Sequence, residues 1–453
     1  MLLAATAAVD LLVYGGRHAS PPRLPTATGL TTSPVPLPPP PFGIASAEAT
    51  DVGPYSARIT WTTTRPSTGV VRFGPAGMRP LLLAAAPALA TQHSVALDGL
   101  AANGAYTAVI TATSAAGADV ATTVDLTAAA APSAVQATIE DGTIRVDGGA
   151  FFPLIAWLQC ADRWPASIAE GIDLFGGNQC TGLASLAEGV AGKALAAGTS
   201  DDPPVDAPGL LGWFYPDEAD ARGLTGDSLP AAQPGLRFLT LTQHFFAGAA
   251  PLPSGRGMYP GLVAKADVVG FDLYPLQILC RRDFLAADYD AQSALVALAP
   301  GKPTFQWIEV REMSCPTVPV TPATIRAESW LAIAGGAHGL GFFPNDWDAD
   351  TGAVIQGIAR RIRQLEPALL EPAVPVSLET SSADVRASAR RYHGVLYVIA
   401  VNAGTQAAAI RVRVAGGPVE LAGSGRSLPV SGGAFSDRLA PLAVRIYVVP
   451  PAP

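Results

Sequence analysis

The sequence predicts a multidomain α/β and all-β chain: an antiparallel β-sandwich, then a (β/α)8 barrel, then a second β-sandwich. Three observations carry this. Between Phe42 and about Ala130 apolar and polar residues alternate in short runs. Between Ile144 and about Glu366 eight continuous apolar runs recur. After about Ala373 strand-like runs return. Alternation marks a sheet buried on one face, and continuous apolar strands mark one buried on both. With 453 residues, two to four domains are expected at roughly 100–200 residues each. Hydrophobic residues make up 49% and charged residues 15%, which supplies large cores and excludes disorder for the bulk of the chain.

The first segment, 1–41, joins an apolar stretch, MLLAATAAVDLLVY, to SPVPLPPPP, a stiff polyproline spacer. The apolar stretch is short for a spanning helix, and Asp10 interrupts it. It reads as a signal- or anchor-like segment, with a tail of no targeting role as the alternative. Cysteines fall as Cys160/Cys180 and Cys280/Cys315, each pair closing a short loop. Disulfides there would fit export to an extracytoplasmic, secreted or cell-surface location, and four free thiols are the other possibility. Net charge is −8 with no long basic run, so the chain has no electrostatic footprint for nucleic acid. Five histidines and four cysteines, without CxxC or HExxH, argue against a Cys/His metal site, and no cofactor is expected.

Residues 42–130 contain ARITWTTTRP, STGVVRFGP, HSVALDGLAANGAYTAVITATSAAG and VATTVDLTA, divided by Gly, Pro and Asn turns. About seven short strands are expected, enough for a sandwich. Trp61, the TGVVRFG strand and turn, HSVALDGL from His93 to Leu100, and Tyr106 resemble a fibronectin type III domain of the kind that precedes purple acid phosphatases. The resemblance implies a fold and carries no chemistry, since no phosphatase-like His/Asp/Asn metal motif follows it.

The barrel, expected over 140–370, takes its strands from FFPLIAW (151–157), IDLFGGN (172–178), KALAAGT (193–199), LLGWFY (210–215), RFLTLTQ (237–243), ADVVGFDLY (266–274), PTFQWIE (303–309) and HGLGFF (338–343). Most are followed by a stretch that can be helical, as a (β/α)8 barrel requires. SDDPPVDAPG after Thr199 leaves no room for a helix, so the third unit is degenerate. The tail, 371–453, contains VLYVIAVN, AAIRVRVAG and LAVRIYVVP, strands with no polar constellation and hence a stabilising role.

Catalytic residues of such barrels lie at the C-terminal strand ends. Those ends carry Trp157 and Gln159, Asn178, Thr199 and Asp201, Asp217 and Glu218, Gln243 and His244, Asp272 and Tyr274, Trp307 and Glu309, and Asn345, Asp346 and Trp347. Carboxylates, amides and indoles together suit a saccharide: flat apolar faces for the ring, polar groups for the hydroxyls. All of these except Thr199, Asp201 and the two glutamates are candidate substrate-binding residues, with Trp347 the expected sugar platform and Trp213 a core residue. Glu218 and Glu309, 91 residues apart, close the fourth and seventh strands and face one another across the predicted mouth. Glycoside cleavage needs two carboxyl groups, one to protonate the leaving oxygen and one to attack or assist at the anomeric carbon. Glu312 is the rival for the second role.

LLGWFYPDEAD, FQWIE and the opening IRVDGGAFFPLIAW resemble the barrels of clan A glycoside hydrolases. The resemblance covers about half of the chain. It implies an acid/base at Glu218, a nucleophile at Glu309 and a retaining mechanism, with Tyr274 hydrogen-bonded to the nucleophile. One departure is Asp217, where that group usually has asparagine before the acid/base. The expectation is therefore an exported glycoside hydrolase acting on an oligo- or polysaccharide. The alternative is a carbohydrate-binding or cell-surface adhesion protein on a silent barrel, since fold alone does not settle function.

Overall fold

The computed structural model describes residues 41–130, 136–177, 179–205, 207, 209–231 and 233–451. Of the segment 1–41 expected to target or anchor the chain, residues 1–40 lie outside them, as does Asn178.

Five strands, rather than seven, build the N-terminal part: β1 (Ile44–Thr50), β2 (Ser56–Pro75), β3 (Leu82–Asp98), β4 (Ala105–Ser114) and β5 (Asp119–Thr127). The sequence's breaks at Arg65-Pro66 and Pro87 do not end strands, because β2 and β3 run on as one long hairpin with register shifts between Thr62 and Gly69. The first half of β2 pairs with β1, and the second half pairs with β4. The long hairpin thus serves both ends of the sheet, and it bends back on itself: a Cβ on Gly69 would lie 2.3 Å from the Trp61 ring. Trp61, Ile59, Phe73 and Ile110 are buried together at its centre, a solution in which alternating residues supply the core.

A small sheet of β6 (Ala137–Glu140), β7 (Thr143–Val146) and β8 (Gly149–Phe151) leads into the barrel. Ile144 packs with Leu174, Leu236 and Val268 of the barrel interior, so this sheet plugs the end opposite the mouth.

The barrel closes with eight parallel strands in sequence order: β9 (Leu154–Trp157), β10 (Leu174–Gly176), β11 (Leu195–Thr199), β12 (Leu210–Phe214), β13 (Leu236–Thr242), β14 (Val268–Asp272), β15 (Thr304–Glu309) and β16 (Leu340–Phe343), which returns to β9. Each of the eight apolar runs supplies one strand. Its interior is filled by aromatic rings: Phe214 stacks on Phe238 at 4.8 Å and meets the Trp157 edge at 4.9 Å. Glycines on neighbouring strands admit these rings, since a Cβ on Gly270 or Gly341 would lie 2.2 Å from Phe305 or 2.1 Å from Trp307.

Helices α1 (Trp164–Glu170), α2 (Leu183–Val190), α3 (Tyr259–Lys265), α4 (Ala287–Leu298), α5 (Pro322–Gly335) and α6 (Ala349–Leu369) follow β9, β10, β13, β14, β15 and β16. No α-helix follows β11 among the described residues, as the Pro-rich segment predicts, and none follows β12 either. The caps are local chemistry. Thr321 accepts from the Thr324 N–H with Pro322 in the first turn, and Asp348 accepts from Thr351 at 2.8 Å.

The C-terminal strands are β17 (Ala373–Val374), β18 (Leu378–Thr380), β19 (Val385–Tyr392), β20 (Val395–Asn402), β21 (Ala408–Arg413), β22 (Val419–Leu421), β23 (Ser427–Leu428), β24 (Ala434–Leu439) and β25 (Val444–Val449). They form a six-stranded and a three-stranded sheet whose facing residues, among them Val398, Val412, Phe435 and Tyr447, make one core. Tyr397 accepts from the Leu83 N–H, and Tyr392 donates to the Asp98 carbonyl, so the two terminal β regions touch.

Candidate active site

A cavity of about 390 Å³ opens at the C-terminal ends of the barrel strands. Its wall contains Trp157 from β9, Asp217 and Glu218 after β12, Gln243 and His244 after β13, and Asp272 and Tyr274 from the end of β14. Trp307 and Phe343 complete the floor, and Ile278 and Leu279 form a lip. Thus eight of the sequence-predicted positions meet in one place, drawn from residues 157 to 307.

Glu218 sits at φ +48°, a left-handed backbone that a non-glycine residue adopts at a cost. The turn that imposes it is pinned from behind by Asp220. Asp220 is buried and accepts from the Thr242 N–H at 3.0 Å, the Thr242 hydroxyl at 2.6 Å and the Tyr259 hydroxyl at 3.0 Å. These bonds tie the Glu218 turn to the end of β13. Sequence reasoning missed Asp220, although an acid two residues past a catalytic candidate was visible in PDEAD.

The Glu218 carboxyl shares the cavity wall with Asp272 and interacts with it electrostatically. Burial raises its pKa first, then the charges of Asp217 and Asp220, against a smaller opposing effect of Arg222. Asp272 is raised well above the usual carboxylate range by burial and by Glu218, and its Oδ1 has no hydrogen-bond partner. Asp217 is raised by burial as well. Like charges this close do not all ionise together, so the cluster holds protons to higher pH than isolated acids.

Around it stand flat and polar surfaces. Trp307 donates to Thr240 Oγ1 at 3.2 Å, and its ring meets the Trp157 edge at 5.7 Å. Tyr274 stacks on Phe343 at 5.6 Å. His244 Nδ1 lies 2.7 Å from the Ala250 carbonyl oxygen, which fixes the ring at the rim.

The remaining predicted positions stand elsewhere. Glu309, the expected nucleophile, is fully buried and absent from the cavity wall. Its Oε1 accepts from the Leu276 N–H at 2.7 Å and its Oε2 from the Gln277 N–H at 2.8 Å, so both oxygens are occupied by the loop after β14. Burial pushes its pKa up to about 7, opposed by those two bonds. Glu312, the rival, is exposed outside the cavity. Trp347 is not a platform: it is buried, with its indole donating to Glu170 at 2.8 Å. Asn345 donates to the Leu158 carbonyl, and Asp346 pairs with Arg163 and Arg311. None of these three lines the cavity. Gln159 is buried outside the cavity wall. Asp202 accepts from the Thr199 N–H and hydroxyl, closing the loop after β11. Trp213 is a core residue.

The lip is braced. Gln277 donates to the Cys315 and Val318 carbonyls and accepts from the Met313 and Cys315 N–H groups. Disulfides join Cys160 to Cys180 and Cys280 to Cys315, the latter beside Leu279. Among the described residues no group of three or more His, Cys, Asp or Glu side chains is placed to hold a metal ion.

A closed parallel barrel with a carboxylate-lined mouth is thus the class of protein that fold and site define. The chain matches no protein-family model and no curated protein. Among solved structures it is similar to a GH30 endoxylanase from Clostridium papyrosolvens, with 12% identity, TM-score 0.42, and coverage of 70% of this chain and 100% of that one. It is also similar to a β-glucuronidase from Ruminococcus gnavus, with 9% identity, TM-score 0.35, and coverage of 70% and 68%. A β-glucuronidase from Faecalibacterium prausnitzii aligns with 11% identity, TM-score 0.33, and coverage of 72% and 66%.

Proposed function

We propose that this chain is an exported glycoside hydrolase in which Glu218 is the proton donor to the departing sugar. The observation that carries the reading is that Glu218 and Asp272, two carboxyls that perturb one another, line one barrel-mouth cavity together with Trp157, Trp307 and Tyr274. A carboxyl kept protonated by burial and by neighbouring acids is what general-acid cleavage requires at near-neutral pH. Trp157 and Trp307 offer apolar faces, while Gln243, His244 and Asp217 offer hydrogen-bonding groups to hydroxyls.

The proton leaves Glu218 for the glycosidic oxygen as the C–O bond breaks, and the anomeric carbon gains its new bond from a second carboxylate or from a water that this carboxylate deprotonates. Glu309, occupied by two main-chain amides, does not serve that role without leaving them. Asp272, which lines the same cavity, is our candidate for it in the state where the coupled pair holds one proton, on Glu218, and Asp272 is ionised, and Glu309 is a positioning residue for the lip. The two disulfides support an oxidising, extracytoplasmic location, and we read the N-terminal sheet as fibronectin type III-like.

One observation favours a second reading. A Glu309 sealed beneath a loop is what a glycan-binding barrel without turnover would carry. Product release from a panel of glycans and aryl glycosides, for wild type, Glu218→Gln, Asp272→Asn and Glu309→Gln, separates the two. Hydrolysis abolished in the first two variants supports catalysis, and hydrolysis that survives Glu218→Gln overturns the assignment. Glycans that bind without being cut give the second reading.

A further inference from the structure

A second concavity, about 510 Å³, lies where α5 and α6 meet β22 and β25 of the C-terminal sheet, and it shares no residue with the barrel-mouth cavity. Three arginines line it, Arg326 of α5, Arg361 of α6 and Arg445 of β25, and no carboxylate of the described residues does. In a chain of net charge −8 this is an unusual local balance. Several arginines elsewhere are paired: Arg363 with Asp173 and Glu366, Arg386 with Asp290, Arg426 with Asp437. None of the three in this cleft joins an ion pair among the described residues.

Two donors make the cleft more than a basic surface. Arg361 Nη1 and Arg445 Nε are buried and without a hydrogen-bond partner among the described residues. Buried donors of a charged group are costly to leave unpaired, and both side chains belong to the wall of this concavity. The charge acting on Arg361 comes from Arg360, another cation, rather than from any acid. The facing turn is shaped for close approach. Gly423, at φ +77°, brings backbone against the guanidinium, where a Cβ would stand 2.6 Å from Arg361 Nη2.

We propose that this cleft binds an oxyanion, held in the fork of Arg361 with Arg445 and Arg326 completing the positive wall. Planar guanidinium donors match the spacing of carboxylate, sulfate or phosphate oxygens. The anion is either a free inorganic ion or the acid group of a saccharide. In the latter case the site is a noncatalytic holdfast for acidic glycan on the flank of the barrel.

Isothermal titration of the full chain at low ionic strength with inorganic sulfate, a galacturonate trimer and a neutral galactose trimer tests this. Saturable binding of sulfate or galacturonate is expected, at least tenfold weaker in Arg361→Gln and several-fold weaker in Arg445→Gln. Arg361→Lys, which keeps the charge without the fork, is expected between wild type and Arg361→Gln. Sulfate binding alone identifies a free ion, and galacturonate binding alone identifies an acidic saccharide. No saturable binding of either anion, or equal affinity in wild type and both glutamine variants, overturns the proposal. If a variant does not fold, phenylglyoxal labelling of wild type followed by peptide mass spectrometry replaces it. Protection of Arg361 and Arg445 by the anion is expected, and unchanged labelling overturns the site.

Discussion

Asp272 and Glu309 end adjacent strands of one barrel, yet they live in opposite worlds. Asp272 closes β14 in the wall of the barrel-mouth cavity, which it shares with Glu218. Glu309 closes β15 and is sealed behind the loop that leaves β14, both oxygens on its main-chain amides. Behind Glu309 lie two more buried acids, Asp288 of α4 and Glu328 of α5, each raised well above the usual range by burial and by Glu309. One cluster is open to a substrate and the other is a closed internal network. Strand position is common to both, so what separates them is the loop that covers one and leaves the other bare.

The sharpest way to break this comparison is Glu218→Gln. Loss of the general acid is expected to lower kcat by about 10²–10⁴-fold on substrates with poor leaving groups, and less on activated aryl glycosides. A uniform loss across leaving groups would argue against proton donation.

Next in size is the brace beside the lip. Removing Cys280–Cys315, which closes a span of 35 residues, is expected to cost about 4 kcal/mol, against about 3 kcal/mol for Cys160–Cys180, which closes 20. Only the former should also raise KM, because Leu279 lines the cavity. Denaturant melts and kinetics of the two alanine pairs check both statements.

Glu309→Gln probes the sealed cluster. With its folded pKa raised from 4.5 to about 7, the native state binds the extra proton between those values. Its contribution is therefore fully present below pH 4.5 and is lost as pH rises through 7, on the order of 3 kcal/mol in all. The glutamine variant should lose that part of the slope in urea melts across this window. A slope equal to wild type's would show that Glu309 does not titrate there.

Smaller effects sharpen the open cluster. Glu218→Gly should be more stable than Glu218→Ala by about 1 kcal/mol, since glycine accepts the φ of +48° without strain. Equal stabilities would remove backbone strain from the account. Asp217→Asn takes away a charge that raises the Glu218 pKa. The alkaline limb of kcat/KM, set by loss of the Glu218 proton, should move down by a fraction of a pH unit. A limb that moves up would contradict the ordering of the cluster.

Much of the architecture was legible in the residues. The eight apolar runs became the eight barrel strands because a strand buried on both faces must be apolar throughout. The Pro-rich segment after Thr199 announced a missing helix. The missing helix after β12 was hidden, because ADARGLTGDSLP forms turns and a single 3-10 turn at Gly226–Ser228 while lacking the dense prolines that gave away its neighbour. The N-terminal strand count was overestimated for a related reason: a register shift, invisible in alternation, lets one strand run through a Pro-containing break.

By itself, the sequence determined where strands end and which polar residues those ends carry, because burial period and turn residues are local properties of the chain. Tertiary structure alone decided which of those residues face substrate. Glu218 and Asp272, 54 positions apart, meet because β12 and β14 flank β13 in the closed barrel. Glu309 and Trp347 are withdrawn because a loop and a helix from distant positions offer them hydrogen-bond partners inside the protein.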